Sequence, residues 1–417
     1  MFVLLDRLLN SMVRDGSLAI TDARGESHLY GNGRGRTVAA RIIGRLTEVQ
    51  LAVDPDFHFG EAYMNRHLIM ERGDISDLVA LLWSNLAGRT PYSVAPRTRL
   101  SQLLRRFRQC NPIGAAKRNV AHHYDLSGQL YDLFLDRDRQ YSCAYFENET
   151  QSLEEAQLAK KRHIAAKLLI KPGMRVLDIG SGWGGLGLYL AEVCGANVIG
   201  VTLSEEQHKL SNERAHQRGV ADRAQFRLLD YRLIEDSFDR IVSVGMFEHV
   251  GVEHYTEFFG KVHSLLEPNG IALVHSINRP GGPAPTSRWI ANHIFPGGHI
   301  PALSEVIPVV ERSQLHVTDI EILRLHYAET LKEWRRRFLD RSEHAKAIYD
   351  ERFCRMWEFY LASSEATFRY GGLNNFQIQC TRNQGALPLT RNYMQEEEER
   401  LREVDSRRPR FKTVPGE

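Results

Sequence analysis

From residue 175 onward, short apolar runs alternate with stretches in which apolar residues recur every three to four positions. Runs at 175–179, 196–202, 224–228, 238–243 and 270–275 read as strands with helices between them, which predicts a doubly wound, Rossmann-like α/β parallel sheet. Further strands are expected at 316–322 and 375–380, helices at 329–339 and 344–370, and a helical insertion over 288–313. Upstream, Ser152 to Leu169 has the pattern of a long amphipathic helix stopped by Lys171, Pro172 and Gly173. A helical pattern from Val120 leads into the loop RQYSCAYF.

The first part of the chain is patterned differently. Residues 2 to 13 place Phe2, Leu5, Leu8, Leu9 and Met12 on one helical face, and docking on its own domain is favoured over lipid insertion. Alternating segments LAITDA, SHLYGNG and LTEVQLAVDP suggest a small β-containing unit between Ser17 and Phe59, followed by a helix over 74–86. The expected organisation is a mixed α+β N-terminal domain (1–88), a basic linker (89–119), an α/β domain (120–390) and a charged C-terminal helix and tail (391–417).

Composition narrows the classes. The 417 residues are 42% hydrophobic and 25% charged with a formal charge of +2, an ordinary globular balance with no bulk affinity for polyanions. Five scattered cysteines without CxxC spacing argue against a disulfide framework and a zinc site, and fit a reducing cytoplasm. Asp6 and Arg7 interrupt the apolar N-terminus and no run of 18 apolar residues occurs, so any membrane contact is expected to be peripheral. Between Asn85 and Val120 there is no acid but eight positive charges (Arg89, Arg97, Arg99, Arg105, Arg106, Arg108, Lys117, Arg118), interleaved with Leu100, Leu103, Leu104 and Phe107. That suits an anionic lipid surface; nucleic acid would attract the same charges, and a solvated linker is the plainer alternative.

The chemistry centres on Met174 to Glu192, MRVLDIGSGWGGLGLYLAE. A strand ending near Asp178 turns through Gly180, Gly182 and Gly184 into a helix, a nucleotide cradle in which glycines admit the ligand and free helix amides face it. Continued through Gly185 the spacing also fits GxGxxG, which dinucleotide-binding folds share. An acid two residues before the first glycine is instead the habit of S-adenosyl-L-methionine (SAM) methyltransferases. After the second strand, Thr202, Ser204 and Gln207 offer hydrogen bonds to the methionine or ribose part, although Ser204 is as readily a helix N-cap. Asp230 is placed to accept from the adenine amino group.

With these segments in view, the chain resembles the cyclopropane-fatty-acyl-phospholipid synthases and their mycolic acid relatives. The blocks YSCAYF, VLDIGSGWGG, GVTLSEEQ, DRIVSVGMFEHVG, LVHSI, FPGGHIP and HYAETL follow in the family's order over about residues 115–382. The preceding domain resembles the extra domain of the phospholipid enzymes, which implies a phospholipid substrate. The resemblance implies that the π electrons of a cis double bond attack the sulfonium methyl, and that a bound bicarbonate ion removes a proton so that the ring closes. The matching ligands would be Cys143, Glu248, His275, the backbone of Ile277, and Tyr327, with Cys380 a weaker candidate. Glu248 would accept the bicarbonate O–H or orient His275. Tyr141, Ser142, Gly180, Gly182, Trp183, Gly184 and Tyr231 would join Asp178 and Asp230 around the cofactor. Tyr124, Tyr141, Phe247, Trp289 and Phe368 are candidates to shield the cation from water. Ser181 stands where many relatives have cysteine, and His122 and His123 lack metal-ligand spacing, so no metal is expected. Also implied are a phospholipid bilayer with unsaturated acyl chains as partner, at the inner membrane face, a homodimer, and no nucleic acid. The rival readings are methyl or methylene branching without ring closure, an amine N-methyltransferase, and a lipid-binding protein with an inactive catalytic domain.

Overall fold

The computed structural model describes residues 1–87 and 128–407. Strands β1 (Ser17–Thr21), β2 (Ser27–Gly31), β3 (Thr37–Ile42) and β4 (Leu68–Arg72) form a four-stranded sheet in the order β2-β1-β3-β4. β1 and β3 run parallel and the outer pairs antiparallel. The segment LTEVQLAVDP is not a strand. It forms the helix Arg45–Val53, burying Thr47, Glu48 and Leu51 and leaving Leu46, Val49 and Val53 at helical spacing in solvent. Its alternating letters suited either period, and the burial of one helical face decided between them.

The second sheet has seven strands: β5 (Arg175–Ile179), β6 (Asn197–Thr202), β7 (Ala224–Leu228), β8 (Phe238–Val244), β9 (Leu266–Asn278), β10 (His316–Leu323) and β11 (Asn374–Thr381). Their order is β10-β11-β9-β8-β5-β6-β7, with five neighbouring strands parallel and β11 antiparallel to both β9 and β10. The chain steps outward from β5 to β7 and then returns to the other side of β5, so the order reverses between β5 and β8. In sheets of this kind ligands bind at that reversal, beyond the carboxyl ends of the strands. Every expected strand of this sheet is present.

Two helical expectations differ in detail. The stretch 344–370 is two helices, Ser342–Ile348 and Glu351–Tyr370, because the Asp350 carboxylate accepts the Phe353 N–H at 2.6 Å and starts a new helix. The insertion over 288–313 is Arg288–His293 and Leu303–Arg312, separated by the FPGGHIP connector.

Helix Glu351–Tyr370 packs against the N-terminal helices Ile75–Leu86 and Pro55–Met64. At that seam Trp289 lies so close to Gly60 that a Cβ there would sit 2.3 Å from the indole nitrogen. The charge-dense C-terminal helix, Asn392–Arg407, lies along helix Leu153–Lys167, where Asp405 meets Arg162 at 3.0 Å and Glu398 meets His163. Among the described residues no helix is long and apolar enough to cross a membrane. The basic linker, His122, His123 and Tyr124 lie outside the described residues.

Candidate active site

The crevice beyond β5, β6 and β8 has an empty volume of about 1310 Å³. Gly180, with φ +81°, packs where a Cβ would come 2.7 Å from that of Met246, and Gly182, with φ +55°, has open space where its Cβ would be. Tyr141, Ser142, Asp178, Gly180, Gly182, Trp183, Thr202, Gln207, Asp230 and Tyr231 all line it. Two expected cofactor residues do not. Gly184 caps helix Gly185–Val193 with φ +81° and is packed against Phe226 and Ser211, and Ser204 caps the next helix by accepting the Gln207 N–H at 3.3 Å.

Asp178 ends β5 buried, and its Oδ2 has no hydrogen-bond partner. Burial pushes its carboxyl up to about 7, against the pull of the Lys160 charge. An orphaned acid beside an open glycine turn fits the amino group and nucleoside of SAM. The Thr202 hydroxyl donates to Gln207 Oε1 at 2.8 Å. Asp230 is held in a two-bond fork by Arg232 at 2.9 and 2.7 Å; burial opposes its charge, yet these bonds keep the carboxyl below its usual range.

Glu248 and His275 do not line the crevice, although His249, next to Glu248, does. Glu248 sits in the 3-10 turn Phe247–His249 after β8, and its Oε1 accepts the Ile277 N–H at 2.7 Å. The Ser276 hydroxyl donates to the Ile277 carbonyl at 3.1 Å and lies close enough to Glu248 to favour its charge, while the buried Oε2 of Glu248 makes no hydrogen bond of good geometry. The FPGGHIP connector fixes this turn, as the His299 N–H donates to the Glu248 carbonyl at 2.8 Å. Burial pushes Glu248 up to about 7, although the Ile277 bond favours its charge. Burial and the charge of Lys160 push His275, on β9, down to about 3, so its ring is neutral.

The resemblance offers Glu248 either as acceptor of the bicarbonate O–H or as orienter of His275, and the Ile277 backbone as a ligand. Instead the Ile277 N–H is taken by Glu248, and His275 is held by β11: Gln377 Nε2 lies 3.2 Å from Nδ1 and Asn375 Nδ2 3.4 Å from Nε2. A neutral imidazole has one N–H and one lone pair, so one amide presents oxygen to it and the other nitrogen. Asn375, Gln377 and Gln379 are buried polar residues at period two on an interior strand, and that pattern in NNFQIQC was the available signal.

Cys143 is buried, its thiol donating to the Ala144 carbonyl at 3.3 Å, and burial raises its pKa well above the usual thiol value. Tyr327 joins an aromatic wall, 4.7 Å from Phe368 and 5.8 Å from Trp334 between ring centres. Trp334 in turn stacks on Tyr141 at 5.2 Å, and the Tyr141 and Tyr360 hydroxyls meet at 2.9 Å. Trp334 and Tyr360 were not singled out from the sequence. Three candidates lie elsewhere. Phe247 stacks on Tyr255 in the core beside helix Tyr255–Leu265, and Trp289 packs on Phe359 at the domain seam. Cys380 lies on the face of β11 opposite Gln377, packed with Phe376 and Ile378; burial alone pushes its thiol up to about 12.

The sheet order, the glycine turn and the acid at its start define a SAM-dependent methyltransferase. The chain belongs to the mycolic acid cyclopropane synthetase family, whose model matches residues 114–378. It is 41% identical over 262 residues to the cyclopropane-fatty-acyl-phospholipid synthase of Escherichia coli K12, covering 62% of this chain and 66% of that one. It is 39% identical over 267 residues to a probable fatty acid methyltransferase of Pseudomonas putida, covering 62% and 68%. The solved mycolic acid cyclopropane synthase CmaA1, complexed with SAH and CTAB, superimposes with a TM-score of 0.61 at 33% identity, covering 65% of this chain and 99% of that one.

Proposed function

We propose that the protein transfers a methylene from SAM to the cis double bond of an unsaturated acyl chain of a membrane phospholipid, forming a cyclopropane ring, with bicarbonate as the base. The observation that carries this reading is the buried Glu248, its Oε2 unpartnered and its Oε1 bonded to the Ile277 N–H, two residues along β9 from a neutral His275. At about 7 the Glu248 carboxyl is protonated for much of the time near neutrality and donates to an anion instead of repelling it. The orphaned Glu248 oxygen fits a small oxyanion, and His275 joins it by exchanging one of its two β11 amide partners for the ion. SAM supplies the electrophilic methyl and bicarbonate a proton acceptor; the chain's part is to hold them and to keep water out. Tyr141, Trp334, Tyr327 and Phe368 offer ring faces that stabilise a cation at the former double bond without attacking it.

Membrane docking rests on the N-terminal unit. Val3, Leu4 and Leu46 are 60%, 52% and 70% exposed, on helices Val3–Met12 and Arg45–Val53 that pack together. They support peripheral binding at a bilayer surface. We further take that face to be cytoplasmic and the chain to act as a homodimer.

The test is incubation with SAM and vesicles of monounsaturated, partly anionic phospholipid, followed by mass spectrometry and ozonolysis of the released acyl chains. A chain one methylene heavier and resistant to ozone supports the reading; unchanged mass overturns it. The likeness to a probable fatty acid methyltransferase of Pseudomonas putida favours a second reading, branching without ring closure. A heavier chain that ozone still cleaves identifies that outcome.

A further inference from the structure

Lys160 is fully buried at the middle of helix Leu153–Lys167, yet it lines the cofactor crevice. Its ammonium donates to the Ser142 hydroxyl at 2.8 Å and, among the described residues, makes no ion pair. The other cations on the crevice wall are already engaged: Arg139 forks onto Asp132 at 2.6 Å through both bonds, and Arg232 onto Asp230. Asp178, on the same wall, has a buried oxygen with no partner and no ion pair to Lys160. A buried acid and a buried amine thus face one cavity without neutralising each other directly, an arrangement that costs free energy until something charged arrives. The price shows in both groups: burial pushes Asp178 up and Lys160 down to about 7 each.

We propose that Lys160, with the Ser142 hydroxyl it holds, receives the α-carboxylate of the methionine portion of SAM, while Asp178 receives the α-ammonium. A zwitterionic amino acid is the one part of the cofactor that carries both complementary charges, and it would give the orphaned acid a partner and the amine a counter-charge at once. The sequence offers a reason for the position. Lys160 follows Gln157, whose side-chain amide donates to the Ser142 carbonyl at 3.0 Å, so one helical turn fixes the YSC loop and supplies the charge beside it. This assignment rests on the methyltransferase class of the site and not on the acyl substrate, so it stands or falls separately from ring formation.

The experiment is calorimetric binding of S-adenosylhomocysteine and of 5′-methylthioadenosine, which lacks the amino-acid portion, to the parent and to Lys160→Met. Losing a charge-assisted contact should weaken S-adenosylhomocysteine about ten-fold or more. Methylthioadenosine should bind both proteins within about two-fold, which also reports that the variant's nucleoside pocket is folded. Unchanged S-adenosylhomocysteine affinity overturns the proposal, as does an equal loss for both ligands. A third outcome, unchanged affinity with a raised bicarbonate requirement in turnover, also overturns it and assigns the ammonium to the smaller anion.

Discussion

Oε1 of Glu248 accepts the backbone N–H of Ile277 at 2.7 Å, pinning a carboxyl from the turn after β8 to the strand that carries His275. The bond fixes one oxygen and leaves the other buried and unpartnered. Glu248→Gln keeps the shape, an acceptor for the Ile277 bond and an N–H towards the anion, but cannot exchange a proton with it. Turnover should fall by about 10²-fold or more, with S-adenosylhomocysteine affinity within about two-fold of the parent. Stability should move the other way. A carboxyl raised from 4.5 to about 7 favours the folded state fully below pH 4.5, and that contribution is lost as pH rises through 7. Urea denaturation should therefore find the Gln variant gaining on the parent between pH 5 and 8, by up to about 3 kcal/mol. A constant difference across that range would show that Glu248 does not titrate in it.

His275 depends on β11 for its orientation. In Gln377→Leu one ring nitrogen loses its amide and the imidazole is free to turn within its pocket. We expect kcat to fall about ten- to a hundred-fold with the KM for SAM little changed, since the amide lies away from the cofactor wall. An equal loss in Gln377→Glu, together with an altered pH profile, would separate loss of orientation from loss of packing.

The parallel sheet and its crevice were legible because strand runs such as 175–179 and 224–228 are bounded by helices of clear period, and because Asp178, Gly180 and Gly182 are adjacent in sequence. The catalytic neighbourhood was half legible. Glu248 and His275 come from separate segments joined through the Ile277 N–H, but the partners that hold His275, Gln377 and Asn375, are set by the antiparallel register of β11 on β9. No local pattern encodes which residue opposes which across strands a hundred positions apart. Lys160 was hidden for a similar reason: its helix reads as amphipathic, with its lysines on a solvent face, and only packing shows that Lys160, like Lys161 and Lys167, is buried.

Cys380 tests the register argument. Directly opposed residues on β9 and β11 share a face, so Gln377 points with His275 while Cys380 points into the layer of Phe376 and Ile378. Cys380→Ala should cost about 1 kcal/mol in thermal or chemical denaturation and leave kcat within about two-fold. A loss of activity beyond the loss of folded protein would place the thiol in the reaction.

The exposed stripe on helix Arg45–Val53 predicts where lipid binds. Leu46→Asp with Val49→Asp puts two charges on that stripe without touching the buried Thr47, Glu48 and Leu51. Sedimentation with partly anionic vesicles should fall several-fold while thermal stability stays within about 0.5 kcal/mol per substitution. Activity on detergent-dispersed lipid should survive better than activity on vesicles. Unchanged sedimentation would move the docking surface elsewhere.

The C-terminal helix carries a pH dependence of its own. His163 lies between Glu321 at 2.6 Å and Glu398 of that helix, its ring stacked on Tyr145 at 4.1 Å. Burial opposes its charge, but the two carboxylates outweigh it and raise the imidazole above 6.5. A histidine raised on folding stabilises the native state fully below 6.5 and loses that contribution as pH rises through its folded value. Above it, the neutral ring has one proton for two carboxylates, and one bond to the helix or to β10 must be given up. Hydrogen exchange in Asn392–Arg407 should therefore quicken on going from pH 6 to 9 beyond the intrinsic rate change, and His163→Gln should abolish most of that extra dependence. Equal protection of the helix in parent and variant across the range would mean that Arg162 and Asp405, not His163, hold it in place.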